Sequence, residues 1–456
     1  MAKRFTTTDR ITDQTLGQTP IADRARTPQL RLFTDAGDVE ELIIDNFAAA
    51  GGAGTGIEAA TGRHCDIAIN HDPVAIQVHR RNHPFTKHYC EDVFDVVPQE
   101  ATGGRPVGLL WASPDCTDFS RCKGAAKLSD KTRGLAWVVV RWAEDPKTAP
   151  RVIVLENVEE FLGWSPLVNG KRDPKRHGET FRRWVRKLEA LNYVVEWKLI
   201  RGCDFGAPTT RRRLFLIARN DGVAITWPTP SHGGDDQPAH RHASEIIDWS
   251  IPNPSIFDPV ARKATGAKAK LCEKTMDRIG HGLTKEVLNV DKPFIAPAGA
   301  AIAGKAPKGA KVAAWIAQNY GGMVGHGLRR PLGTVTAIDH NALVTAVLVK
   351  HYGETDRNHQ TLDQPLHTIT GAARFGLVTC EIDGETYEVK DIGYRMLQPA
   401  ELKKAQGFPV DYVLEEQADG TPVTKTNQYR MVGNSVVPNI AAAIVAANYT
   451  HTRRAA

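Results

Sequence analysis

Residues 42–56 read LIIDNFAAAGGAGTG, and the organisation of the chain can be worked outward from them. Residues 42–47 have the length and apolar character of a short buried strand. The segment that follows carries glycines at 51, 52, 54 and 56 and leads into a helix. Such glycines let a backbone approach a ligand at a helix N-terminus. Taken alone, this loop suits a dinucleotide dehydrogenase as well as a methyltransferase, and equally a structural turn.

The same alternation continues downstream. Residues 65–70 (CDIAIN) read as a strand, 73–83 (PVAIQVHRRNH) as a helix and 107–113 (VGLLWAS) as a strand. Residues 135–145 (LAWVVVRWAED) then read as a helix and 151–158 (RVIVLENV) as a further strand. Phe181, Trp184, Val185, Leu188 and Leu191 recur at helical spacing, so that segment packs one face and turns its Arg/Lys face outward. Two more strands are expected at 194–200 and 212–219. Repeated apolar runs and amphipathic helices predict an α/β fold, a doubly wound and mainly parallel sheet.

After residues 227–236 (WPTPSHGGDD) the texture changes. Pro, Gly, Ala and His become frequent, and the alternation stops until about 390. Within this region Pro331-Leu332-x-Thr334-Val335-Thr336 and Leu343-Val344-Thr345 recur 34 residues later as Pro365-Leu366-x-Thr368-Ile369-Thr370 and Leu377-Val378-Thr379. Two copies are too few for a solenoid and read as two similar β elements of a small domain. Residues 298–311 read as a loop. The Ala-rich segment NIAAAIVAANY, 439–449, reads as a helix that returns to the first domain. The expected divisions are a polar lead-in over 1–39, a catalytic domain over 40–228, an inserted β-rich domain over 229–390, and a return over 391–456.

Composition narrows the class. With 456 residues, 41% hydrophobic and 24% charged, the chain matches an ordinary globular protein with room for two domains. No apolar run approaches the roughly 20 residues needed to span a bilayer, and the N-terminus lacks the apolar core of a signal peptide. A cytoplasmic location and no membrane partner are expected. The seven cysteines (65, 90, 116, 122, 203, 272 and 380) are scattered without a C-x-x-C pair, which argues for free thiols and against a disulfide framework or a zinc site. No metal is expected. The net charge of +6 is compatible with a polyanionic partner. Positive charge collects at 171–187, 211–213, 263–274 and 305–311.

Three further segments carry chemistry. Ser113-Pro114-Asp115-Cys116-Thr117-Asp118-Phe119-Ser120 follows an apolar strand, which places a thiol at a strand's carboxyl end, where open α/β sheets bind ligands. Glu156-Asn157-Val158 sits at another such end. A thiol and a carboxylate so placed suit nucleophilic catalysis with proton donation. Pro208-Thr209-Thr210-Arg211-Arg212-Arg213 precedes a strand and could clamp a phosphate or polarise a carbonyl.

The ordered set resembles the DNA cytosine-5 methyltransferase family from Asp45 to Asn439. DNFAAAGGAGTG is similar to the family's D-L-F-A-G-x-G-G loop, ASPDCTDFS to its P-P-C-Q segment, ENV to its ENV and TTRRR to its Q-x-R-x-R. Arg395 to Pro409 resembles R-x-L…E…Q-G-F-P, and Gln428 to Pro438 the closing Q-x-Y…G-N-S-V-x-P. The resemblance implies a Rossmann-like methyltransferase domain with an inserted target-recognition domain, S-adenosylmethionine as cofactor and double-stranded DNA as substrate. It implies Cys116 as nucleophile and Glu156 as the group that hydrogen-bonds or protonates the cytosine ring nitrogen. Arg211 and Arg213 would hold the base and neighbouring backbone. Phe47, Ala50, Gly51, Gly52, Asn70, His71, Asp92, Val93, Pro114, Asn434, Ser435 and Val436 would line the cofactor site, Asp92 meeting the adenine amine. The family implies base flipping as well, and allows a cognate restriction endonuclease; a monomer is expected.

The chain departs from the family at Ala49, Asp115, Thr209 and Asn70. Asn70 stands where an acidic residue usually binds the ribose hydroxyls, so altered cofactor affinity is expected. Asp115 puts a carboxylate beside the nucleophile, which raises a thiol pKa unless it points away or meets an arginine. Cytosine methylation in RNA and a catalytically silent DNA-binding protein are the rival readings. Binding alone needs none of Cys116, Glu156, Arg211 and Arg213, and a long insert suits a duplex DNA target better.

Overall fold

A computed structural model describes residues 38–119, 128–300, 307, 309–320, 322–338, 340–350 and 379–455. Most of the lead-in, Cys122, residues 301–306 of the expected loop and nearly all of the second repeat copy lie outside the described residues.

The first run forms β1 (Leu42–Asn46), in which every residue is buried. Flanked on both sides, it pairs parallel with β2 (Ile67–Ile69) and with β4 (Val107–Ala112). β3 (Lys87–Tyr89) extends the sheet beyond β2, and β5 (Val152–Asn157) lies parallel to β4. β6 (Val194–Arg201) and β7 (Arg212–Arg219) close the other edge, β7 running antiparallel to β5 and to β6. The order is β3-β2-β1-β4-β5-β7-β6. The chain steps outward from β1 to β3 and then returns to β4, so a crevice opens at the carboxyl ends of β1 and β4, the usual ligand position of such sheets. This is the α/β architecture expected from the alternation. β3 was not legible in the sequence, because its Lys-His-Tyr edge is polar and partly exposed.

Helices cover both faces. α1 (Gly52–Thr61) and the closing helix α6 (Pro438–Asn448) bury Ile57, Ile440 and Ile444 against Ile43, Trp111, Val154 and Phe215. On the other face α3 (Trp137–Glu144) and α4 (Glu179–Ala190) bury Trp142, Phe181 and Trp184 against Ile44, Leu110 and Leu155. α1 and α6 pack so closely that a Cβ at Gly56 would lie 2.5 Å from the Ala441 Cβ. That glycine serves helix packing rather than ligand approach. The helical stretch 425–448 has the length and apolarity of a membrane span. It is broken into α5 (Lys425–Asn434) and α6 around Ser435, and 67% of its most apolar part is buried in the core.

The inserted region builds an antiparallel sheet from β8 (Lys311–Gln318), β9 (Gly325–Gly327), β10 (Asn341–Lys350), β11 (Thr379–Ile382) and β12 (Glu385–Met396), in the order β9-β8-β10-β12-β11. β12 runs without a break through residue 390 into the Arg395 motif. Of the first repeat copy, Leu343–Thr345 lies in β10, but Pro331–Thr336 forms no strand. It meets Thr209 through one parallel bridge instead. Two helices, Pro259–Ala264 and Glu273–Leu283, were also not anticipated. The second turns only a narrow face, Ile279 and Leu283, toward Trp315.

At the edge of the sheet away from the crevice, Glu41 is fully buried. Arg151 bonds it at 2.6 and 3.2 Å, and also reaches Asp221 and the Thr450 carbonyl. Burial pushes the Glu41 carboxyl up, but Arg151 and the Thr452 amide carry it below its ordinary 4.5. Removing one partner of a buried pair leaves a bare charge, so Glu41→Ala is expected to cost about 3–5 kcal/mol in urea unfolding at pH 7. A depressed carboxylate stabilises fully above its unfolded value and loses that contribution as pH falls through its folded value. The stability gap to Glu41→Gln should therefore shrink below pH 4.5; a gap that widens there would refute this account.

Candidate active site

Four segments meet at the carboxyl edge of the sheet. The Ser113 amide donates to the Asn46 carbonyl at 3.2 Å, and Asn157 Nδ2 donates to the Pro114 carbonyl at 3.1 Å. The loop bearing Cys116 is thus tied to strand ends on both sides. Because β7 is antiparallel to β5, its first residues arrive at the carboxyl end of β5. The register pairs Phe215 with Glu156, and side chains alternate along a strand, so Arg213 falls on the face of Glu156. Its Nε lies 3.4 Å from Glu156 Oε1.

Burial dominates the electrostatics. It pushes the half-buried Cys116 thiol up, while Arg213 and then Arg211 pull it down, and Glu156 and Asp115 add to the rise. Asp115 accepts the Thr117 amide at 2.6 Å and the Thr117 hydroxyl at 2.5 Å. Its charge is thereby spent on its own turn and is the smallest of these influences. Burial also raises Glu156, against the pull of Arg211 and Arg213. A carboxyl so raised can hold a proton closer to neutrality and give it up to a base.

Arg211 is placed differently from Arg213. It is buried, and its Nη1 donates to the carbonyls of Val335 and Gly433, both at 2.9 Å. It joins the arginine loop to the insert and to the end of α5, while its charge still acts on Cys116 and Glu156.

The cofactor candidates gather beside this group. Phe47 and Ala49 adopt left-handed backbone, as does Gly51, the N-cap of α1. A Cβ at Gly52 would lie 2.1 Å from Ser435 Oγ and 2.4 Å from the Val436 carbonyl oxygen, so the closing turn rests directly on the glycine loop. Asn70 Oδ1 accepts the Asp72 amide at 2.8 Å at the start of α2 (Pro73–Asn82). Its amide nitrogen is the group it can turn toward a ligand. Asp92 accepts the Phe94 amide at 3.1 Å; Val93 is buried, and His71 and Asn434 are exposed. Both polar atoms of the Asn46 side chain are buried without a hydrogen-bond partner at this edge. Buried polar atoms in folded proteins are ordinarily satisfied. These fit a polar ligand seated in the crevice, as S-adenosylmethionine would be.

Two contributors were missed by sequence reasoning. Tyr412 donates its hydroxyl to the Ala50 carbonyl, and His83 packs its ring at Gly51 while meeting Thr55 Oγ1 at 3.3 Å and Glu58 at 3.2 Å. Tyr412 follows the QGFP segment closely, which is the one signal that could have found it. His83 ends a helix and carries no such mark.

The profile of the C-5 cytosine-specific DNA methylase family matches residues 42–449. The Type II methyltransferase M.AquIA of Picosynechococcus sp. is 28% identical over 205 residues, 44% of this chain and 80% of that protein. M.SacI of Streptomyces achromogenes is 25% identical over 247 residues, 51% of this chain and 57% of that protein. M.NaeI of Lentzea aerocolonigenes is 31% identical over 195 residues, 41% and 43% of the two chains. The chain thus spans only about half the length of the last two. A solved methyltransferase of Entamoeba histolytica covers 89% of this chain and 97% of its own at 13% identity, with a TM-score of 0.48. The family profile runs from β1 to the residue after α6, and the chain belongs to the C-5 cytosine-specific DNA methylase family.

Proposed function

We propose that this chain methylates carbon 5 of cytosine in double-stranded DNA, using Cys116 as a covalent nucleophile. The observation that carries this reading is the convergence of Cys116, Glu156 and Arg213 beside the glycine loop. Carbon 5 of cytosine is too weak a nucleophile to be methylated unaided. Addition of the Cys116 thiolate to carbon 6, with the Glu156 carboxyl giving its proton to the ring nitrogen, makes carbon 5 an enamine carbon. S-adenosylmethionine supplies the methyl group to that carbon when bound. Water takes the carbon 5 proton, the ring double bond re-forms and the thiolate is expelled, and Glu156 recovers its proton from the ring nitrogen. Arg213 stabilises the thiolate and holds Glu156, and Arg211 keeps the loop in place. Phe47, Ala50 to Gly52, Asn70, His71, Asp92, Val93, Pro114 and Asn434 to Val436 would hold the cofactor.

The target atoms are inaccessible inside a duplex, so the base is flipped into the pocket. Residues 229–390 act as the target-recognition domain, phosphate contacts positioning the DNA while a few side chains read base edges. The protein works as a cytoplasmic monomer, and its family allows a cognate restriction endonuclease in the same system. M.AquIA and M.SacI are Type II methyltransferases, which supports DNA over RNA as the substrate.

Duplex DNA with 5-fluorocytosine at the target should trap the protein in a complex that survives denaturing electrophoresis, because fluorine cannot leave as a cation. Trapping should need S-adenosylmethionine and vanish in Cys116→Ser. Glu156→Gln should slow turnover about a hundredfold or more. Trapping that persists in Cys116→Ser would show that another thiol reacts, and trapping on tRNA but not DNA would move the substrate to RNA.

A second expectation concerns the thiol. Alkylation of Cys116, followed by peptide mass spectrometry, should keep accelerating as pH passes the ordinary thiol value of 9.0 instead of levelling off there. An arginine cation favours the thiolate, so Arg213→Ala should raise that midpoint and slow alkylation at fixed pH, by about tenfold for each unit gained. An unchanged rate would rule out the proposed electrostatic link.

DNA affinity should fall steeply with salt, log K decreasing linearly with log salt concentration. Neutralising the lysines at 263–274 should flatten that slope. A binding constant indifferent to salt would exclude phosphate neutralisation as the source of affinity.

A further inference from the structure

Between β6 and the arginine loop, the turn Gly202–Phe205 places Cys203 and Asp204 against the loop that enters the insert. That loop is held on the turn by its backbone: the amides of Ser231 and His232 both donate to the Asp204 carbonyl, at 2.9 and 3.2 Å. It carries His240 back to the same point. His240 Nε2 lies 3.1 Å from Asp204 Oδ1, and Cys203 Sγ lies 3.6 Å from the same oxygen. The three ligand atoms all fall within 4.8 Å of one another, and no other such group of three occurs among the described residues.

The two separations from Asp204 Oδ1, 3.1 and 3.6 Å, are close to those of a metal centre. A tetrahedral ion with sulfur at about 2.3 Å and nitrogen or oxygen at about 2.0–2.1 Å sets its ligand atoms roughly 3.3–3.6 Å apart. The second carboxylate oxygen of Asp204 is taken by Arg201 Nε at 3.1 Å, which orients the first toward Cys203 and His240 in the way outer partners orient metal ligands. Gly233, in left-handed backbone, leaves room for the imidazole, since a Cβ there would lie 2.1 Å from His240 Nε2. A thiol and an imidazole beside one carboxylate favour zinc over calcium or magnesium, which prefer oxygen alone.

We propose that Cys203, Asp204 and His240 bind a zinc ion that staples the start of the arginine loop to the entry of the insert. The site is independent of the methylation reading, because its ligands touch none of the residues given a role there. Its competitor is a metal-free cluster in which His240 and Arg201 simply share Asp204. A cysteine binds a metal ion as its thiolate, so metal binding displaces a proton.

The test uses the full chain, stripped with chelator and titrated with zinc chloride and cobalt chloride. One equivalent of zinc should bind, raise the melting temperature and release protons. Cobalt should give a near-ultraviolet thiolate charge-transfer band. Cys203→Ser should lose that band, and His240→Gln should weaken zinc binding at least tenfold, the lower end of what lost ligation support costs. Cys272→Ser, at an exposed thiol outside the cluster, should change neither. Wild-type protein that binds no zinc, or a cobalt spectrum without a thiolate band, overturns the proposal without recourse to any variant. A band kept in Cys203→Ser or lost in Cys272→Ser does so as well.

Discussion

A Cβ at Gly52 would lie 2.1 Å from Ser435 Oγ, so two segments from opposite ends of the described chain meet with no room for a side chain between them. Much of the site depends on this approach. It lets α6 lie along α1, where a Cβ at Gly56 would lie 2.5 Å from the Ala441 Cβ, and it sets the Ser435–Val436 turn against the glycine loop. Tyr412 adds a hydrogen bond to the Ala50 carbonyl from the segment between. A larger residue at 52 would push the closing turn outward and take Asn434 to Val436 with it, so the glycine loop is shaped from behind by the chain's own return.

The second organising contact runs through Arg211. A buried guanidinium is costly unless its donors are satisfied; here the Val335 and Gly433 carbonyls accept from Nη1, while Nε is buried without a hydrogen-bond partner. The Leu332 amide donates to the Pro208 carbonyl at 2.9 Å, and the Thr210 amide to the Leu332 carbonyl at 2.7 Å. The insert is therefore joined by backbone bonds to the loop that ends in Arg213. Ala50, Val78, Ile316, Leu332, Leu343, Phe408 and Met431 belong to one apolar cluster that spans the glycine loop, α2, the insert and α5. Arg395, paired with Glu401 at 2.8 Å through both nitrogens, also bonds the Asp248 carbonyl, and closes the other side of the insert. A shift in the insert is thus mechanically coupled to the placement of Arg213.

Around Cys116 two opposing effects are set against each other. Burial disfavours both the thiolate and the Glu156 carboxylate, while the two arginines favour both. The balance leaves a thiol and a carboxyl that each keep a proton more readily than in water, in a place where a bound base could shift either equilibrium. Asp115, which the sequence presents as a threat to the nucleophile, does raise the thiol, but less than burial or Glu156, its carboxylate being turned to two hydrogen bonds from Thr117.

Apart from the edge strand β3, the main strands and helices among the described residues 42–219 were legible from apolar periodicity, because burial of β1, β4 and β5 leaves unbroken apolar runs and because α4 shows its apolar face at helical spacing. The family motifs marked Cys116, Glu156 and the arginines, since each lies within a short local pattern. What periodicity cannot carry is contact between distant segments. The edge strand β3, the helix Glu273–Leu283 with its narrow apolar face, and the unpaired first half of the repeat were missed or misread for that reason. The division of labour between Arg211 and Arg213 was likewise invisible, because two residues of one motif were parted by strand register and by carbonyls contributed from positions 335 and 433. The same holds for Cys203, Asp204 and His240, whose spacing has no metal signature until the turn and the loop are folded together. Sequence alone determined which chemistry-bearing residues the chain possesses and on which strand ends they fall; only the tertiary structure decided which of them face one another, because strand register and helix packing are properties of segments far apart in the chain.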